Sequence, residues 1–248
     1  ATTFNFDDVI ATNAYAQPHI IALDGSGYAP FSVDAERHVE AASPAGGVWS
    51  TAADMANYLT MLLANGDFVG EQVVSGENLN TLWESQVSIT DNLAYGLGWF
   101  LGDYQGVPLI YHGGTTTGYQ SDLVLVPSED MGFVVLTNWL GGGNFPESLR
   151  RLVLQLLYAQ PLSAIEDYAE LQTSVVNNVR QIPAQFSPLA LSEAAAAPLI
   201  GEYAPATSIR YADGRLLWET GYTVAPLVQV LGTENTFIID SGPLSTGV

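Results

Sequence analysis

The chain has 248 residues and a formal net charge of -20, from 6 basic and 26 acidic side chains. Proteins hold nucleic acid and anionic membranes through Lys and Arg, so this charge argues against both kinds of partner. All six basic residues are arginines, which excludes any reaction step that needs a lysine from this chain.

Helical spacing and capping signals predict helices over 50–64, 77–83, 145–158 and 162–179. Residues 1–42 have no sustained helical or strand spacing, and one short helix is predicted within them over 7–11. The helix over 50–64 has the strongest signal, because a Ser/Thr-x-x-acid capping box opens it at Ser50 or Thr51 and Asn65-Gly66 closes it. Apart from the first short helix, residues 1–42 are expected to be irregular.

Short apolar runs separated by turn residues predict the strands of an antiparallel sheet. They cover 95–101, 107–112, 119–126 and 131–139, with Gly113-Gly114 counted among the turns. After a linker-like stretch at 183–197, five shorter runs predict a small β-meander over 200–203, 207–211, 215–218, 224–230 and 236–239. The predicted fold class is therefore α+β, an antiparallel sheet with flanking helices followed by a small all-β tail.

One segment combines a histidine with glycines at the end of an apolar strand. Residues 111–118 read Tyr-His-Gly-Gly-Thr-Thr-Thr-Gly. Glycines there let backbone amides approach a substrate closely, and His112 can donate a hydrogen bond near an oxyanion. The same residues also fit a tight turn with a hydrogen-bonded histidine, and the local sequence alone favours that interpretation.

A metal site has little support in the sequence. The three histidines, His19, His38 and His112, form no His-x-x-x-His pair, and the chain contains no cysteine. A metal-assisted hydrolase that uses these histidines with carboxylates is kept as a rival hypothesis. Arg37 and His38, between Glu36 and Glu40, are interpreted as a surface ion cluster.

Four blocks occur in a characteristic order: residues 44–55, 95–100, 112–114 and 134–138. Together they resemble the C-terminal half of the serine β-lactamase-related hydrolases, a superfamily of class C β-lactamases, D,D-carboxypeptidases, D-aminopeptidases and esterases. The resemblance implies a β-lactamase/transpeptidase-like sheet with flanking helices, of which this chain holds the C-terminal part. It implies neither a cofactor nor a metal.

The resemblance also assigns roles to a short run of residues. The family's third motif, Lys/His-x-Gly, corresponds to His112-Gly113-Gly114. His112 and Thr115 are therefore the expected catalytic residues, with the Thr115 amide as one oxyanion donor. Gly113 and Gly114 are the expected substrate-binding residues.

The family's other two motifs are absent from the chain. There is no lysine for a Ser-x-x-Lys motif, and no Tyr or Ser has Asn two residues later. The resemblance places both motifs in the N-terminal half, so the nucleophile is expected upstream or on a partner chain, and this chain alone is expected to be inactive. Histidine in the third motif favours peptidase, D-aminopeptidase or esterase relatives over β-lactamases proper.

The expected organisation has three parts. Residues 1–160 form the C-terminal portion of a catalytic domain, 161–190 a helical linker, and 191–248 a small, lipocalin-like β appendage without an obvious closing strand over 242–248. The expected partners are the N-terminal half of the enzyme and a small peptide, amide or ester substrate. No apolar run reaches the roughly 18 residues that span a bilayer. The resemblance favours a periplasmic or extracellular location.

The main alternative is a protein that binds without catalysing a reaction. A catalytically inactive module of the same fold, holding a peptide or cell-wall ligand, would keep the third motif and need no nucleophile. A Ser-x-x-Lys sequence upstream or on a co-purifying chain would favour the enzyme.

Overall fold

The computed structural model describes residues 2–22, 25–140, 144–186, 191–221, 224–233 and 236–239. The helices in these ranges are α1 (Phe6–Thr12), α2 (Ser43–Gly46), α3 (Ala52–Leu63), α4 (Gly76–Leu82), α5 (Phe145–Leu157), α6 (Ser163–Gln181) and α7 (Glu193–Ala196). Short 3-10 segments cover Val33–Ala42, Pro127–Glu129, Ile182–Gln185 and Ala197–Leu199.

The strands form two larger sheets and two short hairpins. The first part of the chain contains β1 (His19–Ile21), β2 (Tyr28–Pro30), β3 (Asp67–Phe68), β4 (Glu71–Gln72), β5 (Val87–Thr90), β6 (Leu93–Tyr95), β7 (Phe100–Tyr104), β8 (Val107–Thr115), β9 (Gln120–Val126) and β10 (Met131–Thr137). The tail contains β11 (Gly201–Ala204), β12 (Thr207–Ala212), β13 (Arg215–Thr220), β14 (Val224–Gln229) and β15 (Phe237–Ile239).

Both larger sheets are antiparallel, and their strands follow chain order. The first has six strands in the order β10-β9-β8-β7-β6-β5, and the second has five in the order β11-β12-β13-β14-β15. Antiparallel neighbours can be joined by short turns, which agrees with the turn residues between the predicted strands. The predicted α+β class, an antiparallel sheet with flanking helices and a small all-β tail, is confirmed.

Helices cover the two faces of the six-stranded sheet. Successive side chains of a strand point to opposite faces, so β9 contributes to two separate cores. On one face Leu125 packs with Leu59 and Leu62 of α3, together with Leu79 and Trp99. On the other face a second buried cluster is formed by Leu109, Val126 and Leu154 of α5. The sheet, in which β8 is an internal strand, is thus held between α3 and α5.

The predicted helix over 50–64 is confirmed as α3, and its cap is Thr51. The Thr51 side-chain oxygen accepts a hydrogen bond from the Asp54 amide at 3.1 Å. Ser50, the other candidate, lies 2.8 Å from the Thr2 hydroxyl instead. Since a side-chain acceptor satisfies one of the free amides of the first turn, Thr51 defines where the helix begins.

The prediction of one strand over 95–101 is wrong. A tight hairpin divides that stretch, with β6 ending at Tyr95 and β7 beginning at Phe100. The Gly96 amide donates to the Trp99 carbonyl at 2.8 Å, and Gly98 has a φ of +85°, which side chains with a Cβ rarely adopt. The two glycines therefore act as turn residues inside what looked like one alternating run.

The prediction that Gly113-Gly114 forms a turn is also wrong. Both glycines belong to β8, where Gly113 lies opposite Asp122 and Gly114 opposite Ser121. The turn comes later, and the Thr116 amide donates across it to the Tyr119 carbonyl at 3.0 Å. The His-Gly-Gly motif therefore lies within a rigid, hydrogen-bonded strand.

The first 42 residues are more ordered than expected. The predicted helix over 7–11 is confirmed as α1, but β1 pairs with β2 and a 3-10 segment covers Val33–Ala42. The linker-like stretch 183–197 likewise contains short helical turns.

The three-part division at 160 and 190 stays a prediction, and 242–248 lie outside the described residues. Within the described ranges no helix is both long and apolar enough to cross a membrane.

Candidate active site

The motif segment His112–Thr115 forms an open strand edge. β7 pairs with β8 only over Val107–Tyr111, so within the described residues the next four positions have no strand on that side. The Thr116 amide is bonded across the turn, and antiparallel strands alternate the direction of their amides. The Thr115 amide therefore points away from β9, toward the open edge, where Gly113, Gly114 and Thr115 are exposed. A substrate backbone has room to pair there.

Two hydrogen bonds fix the His112 ring beside this edge. Its Nδ1 lies 2.6 Å from the Gly113 carbonyl oxygen, and its Nε2 lies 3.0 Å from the Tyr95 hydroxyl. A carbonyl only accepts, so Nδ1 carries the hydrogen and Nε2 of the neutral ring accepts from Tyr95. The imidazole also packs against Phe100, with ring centroids 5.4 Å apart. His112 and Tyr95 thus form one hydrogen-bonded pair at the site.

Glu36 anchors the turn that follows Thr115. Only 3% of Glu36 is exposed, and its Oε1 accepts from the Gly118 amide at 2.7 Å. Burial raises the pKa of this carboxyl, while hydrogen bonds from Gly118 and Thr116 oppose the rise. Beside it, the Thr117 hydroxyl lies 3.2 Å from Nε2 of His38. The 3-10 segment thereby holds the end of β8 and the Thr115 amide in place.

Asp122 is a second buried carboxylate close to the motif. It is 3% exposed, and its Oδ1 lies 3.5 Å from the Arg150 guanidinium. Burial raises its pKa to about 6, while Arg150 opposes the rise. Arg150 in turn lies over the Tyr111 ring, 4.0 Å from its centroid. Asp122 and Arg150 both line a cavity of about 260 Å³ beside Gly113.

Sequence reasoning missed Tyr95, Glu36 and Asp122. Tyr95 belongs to one of the four family blocks, which is the signal that could have pointed to it. Glu36 was grouped with a surface ion cluster, and that is wrong for this residue. The cluster does form around Arg37, whose guanidinium lies 2.9 Å from Asp7 and 3.9 Å from Glu40.

The three histidines contact different partners. His38 contacts Thr117, His112 contacts Tyr95, and His19 lies 3.5 Å from the Asn138 side chain. Across the described ranges, no group of three or more His, Cys, Asp or Glu side chains could hold a metal ion. The metal-assisted rival therefore finds no ligand set in this part of the chain. The roles expected of His112, Gly113, Gly114 and Thr115 stay predictions.

Known proteins resemble this chain in sequence and in fold. The sequence profile of the Beta-lactamase family matches residues 9–158. An unguisins hydrolase from Aspergillus campestris is 28% identical over 145 residues, which are 55% of this chain and 25% of that protein. An octameric penicillin-binding protein homologue from Pyrococcus abyssi is 17% identical with a TM-score of 0.51, over 96% of this chain and 49% of its own. The chain thus spans about a quarter of the first and half of the second.

Proposed function

Because the chain belongs to the beta-lactamase family, we propose that it forms the C-terminal, substrate-binding part of a serine hydrolase that cleaves amide or ester bonds. The observation that carries the proposal is the open edge of β8, where the Thr115 amide and the His112–Tyr95 pair lie together. The nucleophilic Ser and its Lys are assigned to residues outside these 248, since the sequence contains no lysine.

In the proposed reaction the substrate lies along the open edge and its carbonyl oxygen faces the Thr115 amide. Attack by the external serine forms a tetrahedral intermediate and places negative charge on that oxygen. The C–N or C–O bond then breaks to leave an acyl-enzyme, the leaving group takes up the proton that the serine released, and water hydrolyses the new ester. A donor fixed before the reaction stabilises the developing charge without reorganisation, and one such donor contributes about 10²- to 10³-fold in rate.

His112 and Tyr95 are assigned to the leaving-group side of this site. With Nδ1 bonded to the Gly113 carbonyl and Nε2 facing the Tyr95 hydroxyl, the imidazole orients that hydroxyl, whose oxygen stays able to accept a hydrogen bond at the leaving-group side. Packing against Phe100 and the bond from Nδ1 to the Gly113 carbonyl keep the ring in one orientation. Glu36 anchors the turn after this strand by accepting a hydrogen bond from the Gly118 amide. These contacts favour a preorganised site over an adaptable one.

The outer edge of β10 is available for pairing with a strand of the proposed N-terminal half. This strand ends the six-stranded sheet, and within the described residues no strand pairs with its outer edge over Met131–Thr137. Unpaired strand edges offer rows of free amides and carbonyls that other strands readily join. We assign this edge to a strand of the N-terminal half, with residues 1–160 completing one catalytic domain, 161–190 a linker and 191–248 an appendage.

The test uses the natural polypeptide that contains these residues, with any chain that co-purifies. Turnover of aryl esters and of D-amino acid or peptide anilides is measured for the wild type, His112→Ala and Thr115→Ala. His112→Ala is expected to lower kcat about 10²- to 10³-fold. Thr115→Ala keeps the backbone amide and is expected to change kcat far less. Specific binding of peptides without turnover of any substrate would favour the inactive binding module instead.

A further inference from the structure

A serine hydroxyl lies over the motif strand on the same face of the sheet as His112. Ser121 of β9 is directly opposite Gly114 of β8. Residues two positions apart in a strand share a face, and so do directly opposite residues, so Ser121 projects on the face that carries His112. A Cβ added at Gly114 would lie only 2.6 Å from Ser121 Oγ. The hydroxyl therefore fills the space that a side chain at position 114 would need.

The face around Ser121 is polar and only partly covered. Further along β9 on this face, Leu123 and Leu125 pack in the core with α3, whereas Ser121 takes the next position toward the site. Leu136, opposite Ser121 on β10, is 44% exposed. Ser121 itself is half-buried, and among the described residues no hydrogen bond ties its hydroxyl to another group. The hydroxyl can therefore donate to or accept from a ligand on the open edge.

A substrate on the open edge of β8 brings one particular residue to this hydroxyl. In the proposed binding mode the scissile carbonyl faces the Thr115 amide, and the leaving group lies toward His112. The residue that supplies the carbonyl is then opposite Thr115, and the next residue, in the leaving group, is opposite Gly114. Directly opposite residues project their side chains on the same face of a sheet. The side chain of the leaving-group residue therefore shares the face of Ser121.

Gly114 leaves the space between these two side chains open. Neighbouring strands are about 4.8 Å apart, so the leaving-group residue lies one strand spacing from the space above Gly114. A side chain with a polar atom two or three bonds from its Cα, together with a hydrogen bond of about 2.9 Å, covers that distance. Any other residue at position 114 would place a Cβ in the way.

We propose that Ser121 is a specificity-determining residue whose hydroxyl forms a hydrogen bond with a polar side chain on the leaving-group residue of the substrate. The preferred substrates are peptides, or their ester analogues, in which the residue after the scissile bond has a short amide or hydroxyl side chain. The inference rests on the proposed function for the orientation of the substrate. Ser121 acts on binding and takes part in no bond-breaking step.

The test compares two acetylated peptides that differ only in the leaving-group residue, asparagine or leucine, whose side chains have similar shapes. Both peptides are made in the D and the L series. Binding to the natural polypeptide, with any chain that co-purifies, is measured by calorimetry, and release of the free residue is measured by chromatography. The quantity compared is the preference for asparagine, as the ratio of dissociation constants or, for cleaved peptides, of kcat/KM.

Ser121→Ala is expected to lower the preference for asparagine about 3- to 10-fold, the contribution of one neutral hydrogen bond. Ser121→Thr keeps the hydroxyl and should retain the preference. Gly114→Ala displaces the hydroxyl and should lower the preference as Ser121→Ala does. Gly113→Ala adds a Cβ on the opposite face, 3.4 Å from the Ser121 carbonyl oxygen, and should affect both peptides equally. Ser88→Ala, three strands away on β5, is the control for loss of a serine hydroxyl.

The outcomes separate this inference from the proposed function. Binding with a preference that depends on Ser121, but without turnover, supports the inference and contradicts the hydrolase. Turnover that His112→Ala lowers, with equal preferences in the wild type and Ser121→Ala, supports the hydrolase and overturns the inference. A lower melting temperature of Ser121→Ala with an unchanged preference would assign the hydroxyl to packing alone and overturn it too. Failure of both peptides to bind would also overturn it.

Discussion

Glu36 offers a sharp test of how the site is held. Glu36→Ala removes the acceptor of the Gly118 amide, which is bonded at 2.7 Å, from a side chain that is only 3% exposed. Leaving a buried donor unpaired costs about 1–3 kcal/mol. For a chain of this size each kcal/mol corresponds to roughly 2–4 °C, so the melting temperature is expected to fall by about 2–12 °C. Turnover should fall as well, because the Thr115 amide loses its support.

The matched variant is Glu36→Gln, which keeps an oxygen for Gly118 and removes the charge. Burial raises the pKa of Glu36, so its ionised form is disfavoured in the folded state. A folded pKa above the unfolded value means that stability falls as pH rises between the two, and Glu36→Gln should abolish that component. Glu40→Ala, at an exposed position of the same segment, is the control. Equal midpoints of thermal and urea unfolding for Glu36→Ala and Glu40→Ala would refute the anchoring role of Glu36.

Two further expectations concern the core and the open sheet. Leu154 is 1% exposed, so Leu154→Ala should lower the free energy of unfolding by about 2–5 kcal/mol. Leu156 is 60% exposed, so Leu156→Ala should change it by less than about 0.5 kcal/mol. Urea titrations compare the two variants, and similar losses of stability would contradict the packing of α5 on the sheet. Because the edge of β10 is free, the isolated 248-residue chain is expected to self-associate or to retain a partner. A monomer in light scattering that also melts in one cooperative transition would contradict the proposed half-domain.

The elements with strong local signals were predicted from sequence. The capping box of α3 and the apolar stripe of α5 depend on neighbouring residues alone, so spacing reveals them. The tail meander followed in the same way from alternating runs and glycines. Local patterns, however, do not distinguish a glycine in a turn from one in a strand, because both lack a Cβ. Gly96 and Gly98 form a hairpin, whereas Gly113 and Gly114 lie within β8.

The candidate site was predicted only in part, because most of its contacts join residues distant in sequence. Glu36 reaches Gly118 across 82 positions, and no local pattern separates it from the exposed acids beside it. Asp122 lies in an apolar run, where its burial follows from strand alternation once the register is known. The roles of His112 and Thr115 were inferred from the family resemblance, because spacing alone could not assign them, and they stay predictions.

The most direct test of the central claim is where an activated serine resides. The natural polypeptide, with any partner that co-purifies, is treated with a fluorophosphonate probe, and the labelled peptide is mapped by mass spectrometry. Nucleophilic serines need an adjacent base, and the Ser-x-x-Lys pair of the family cannot form in a chain without lysine. The expected result is stoichiometric labelling of one serine outside these 248 residues, followed three positions later by lysine. Stoichiometric labelling of a serine within them would contradict the account.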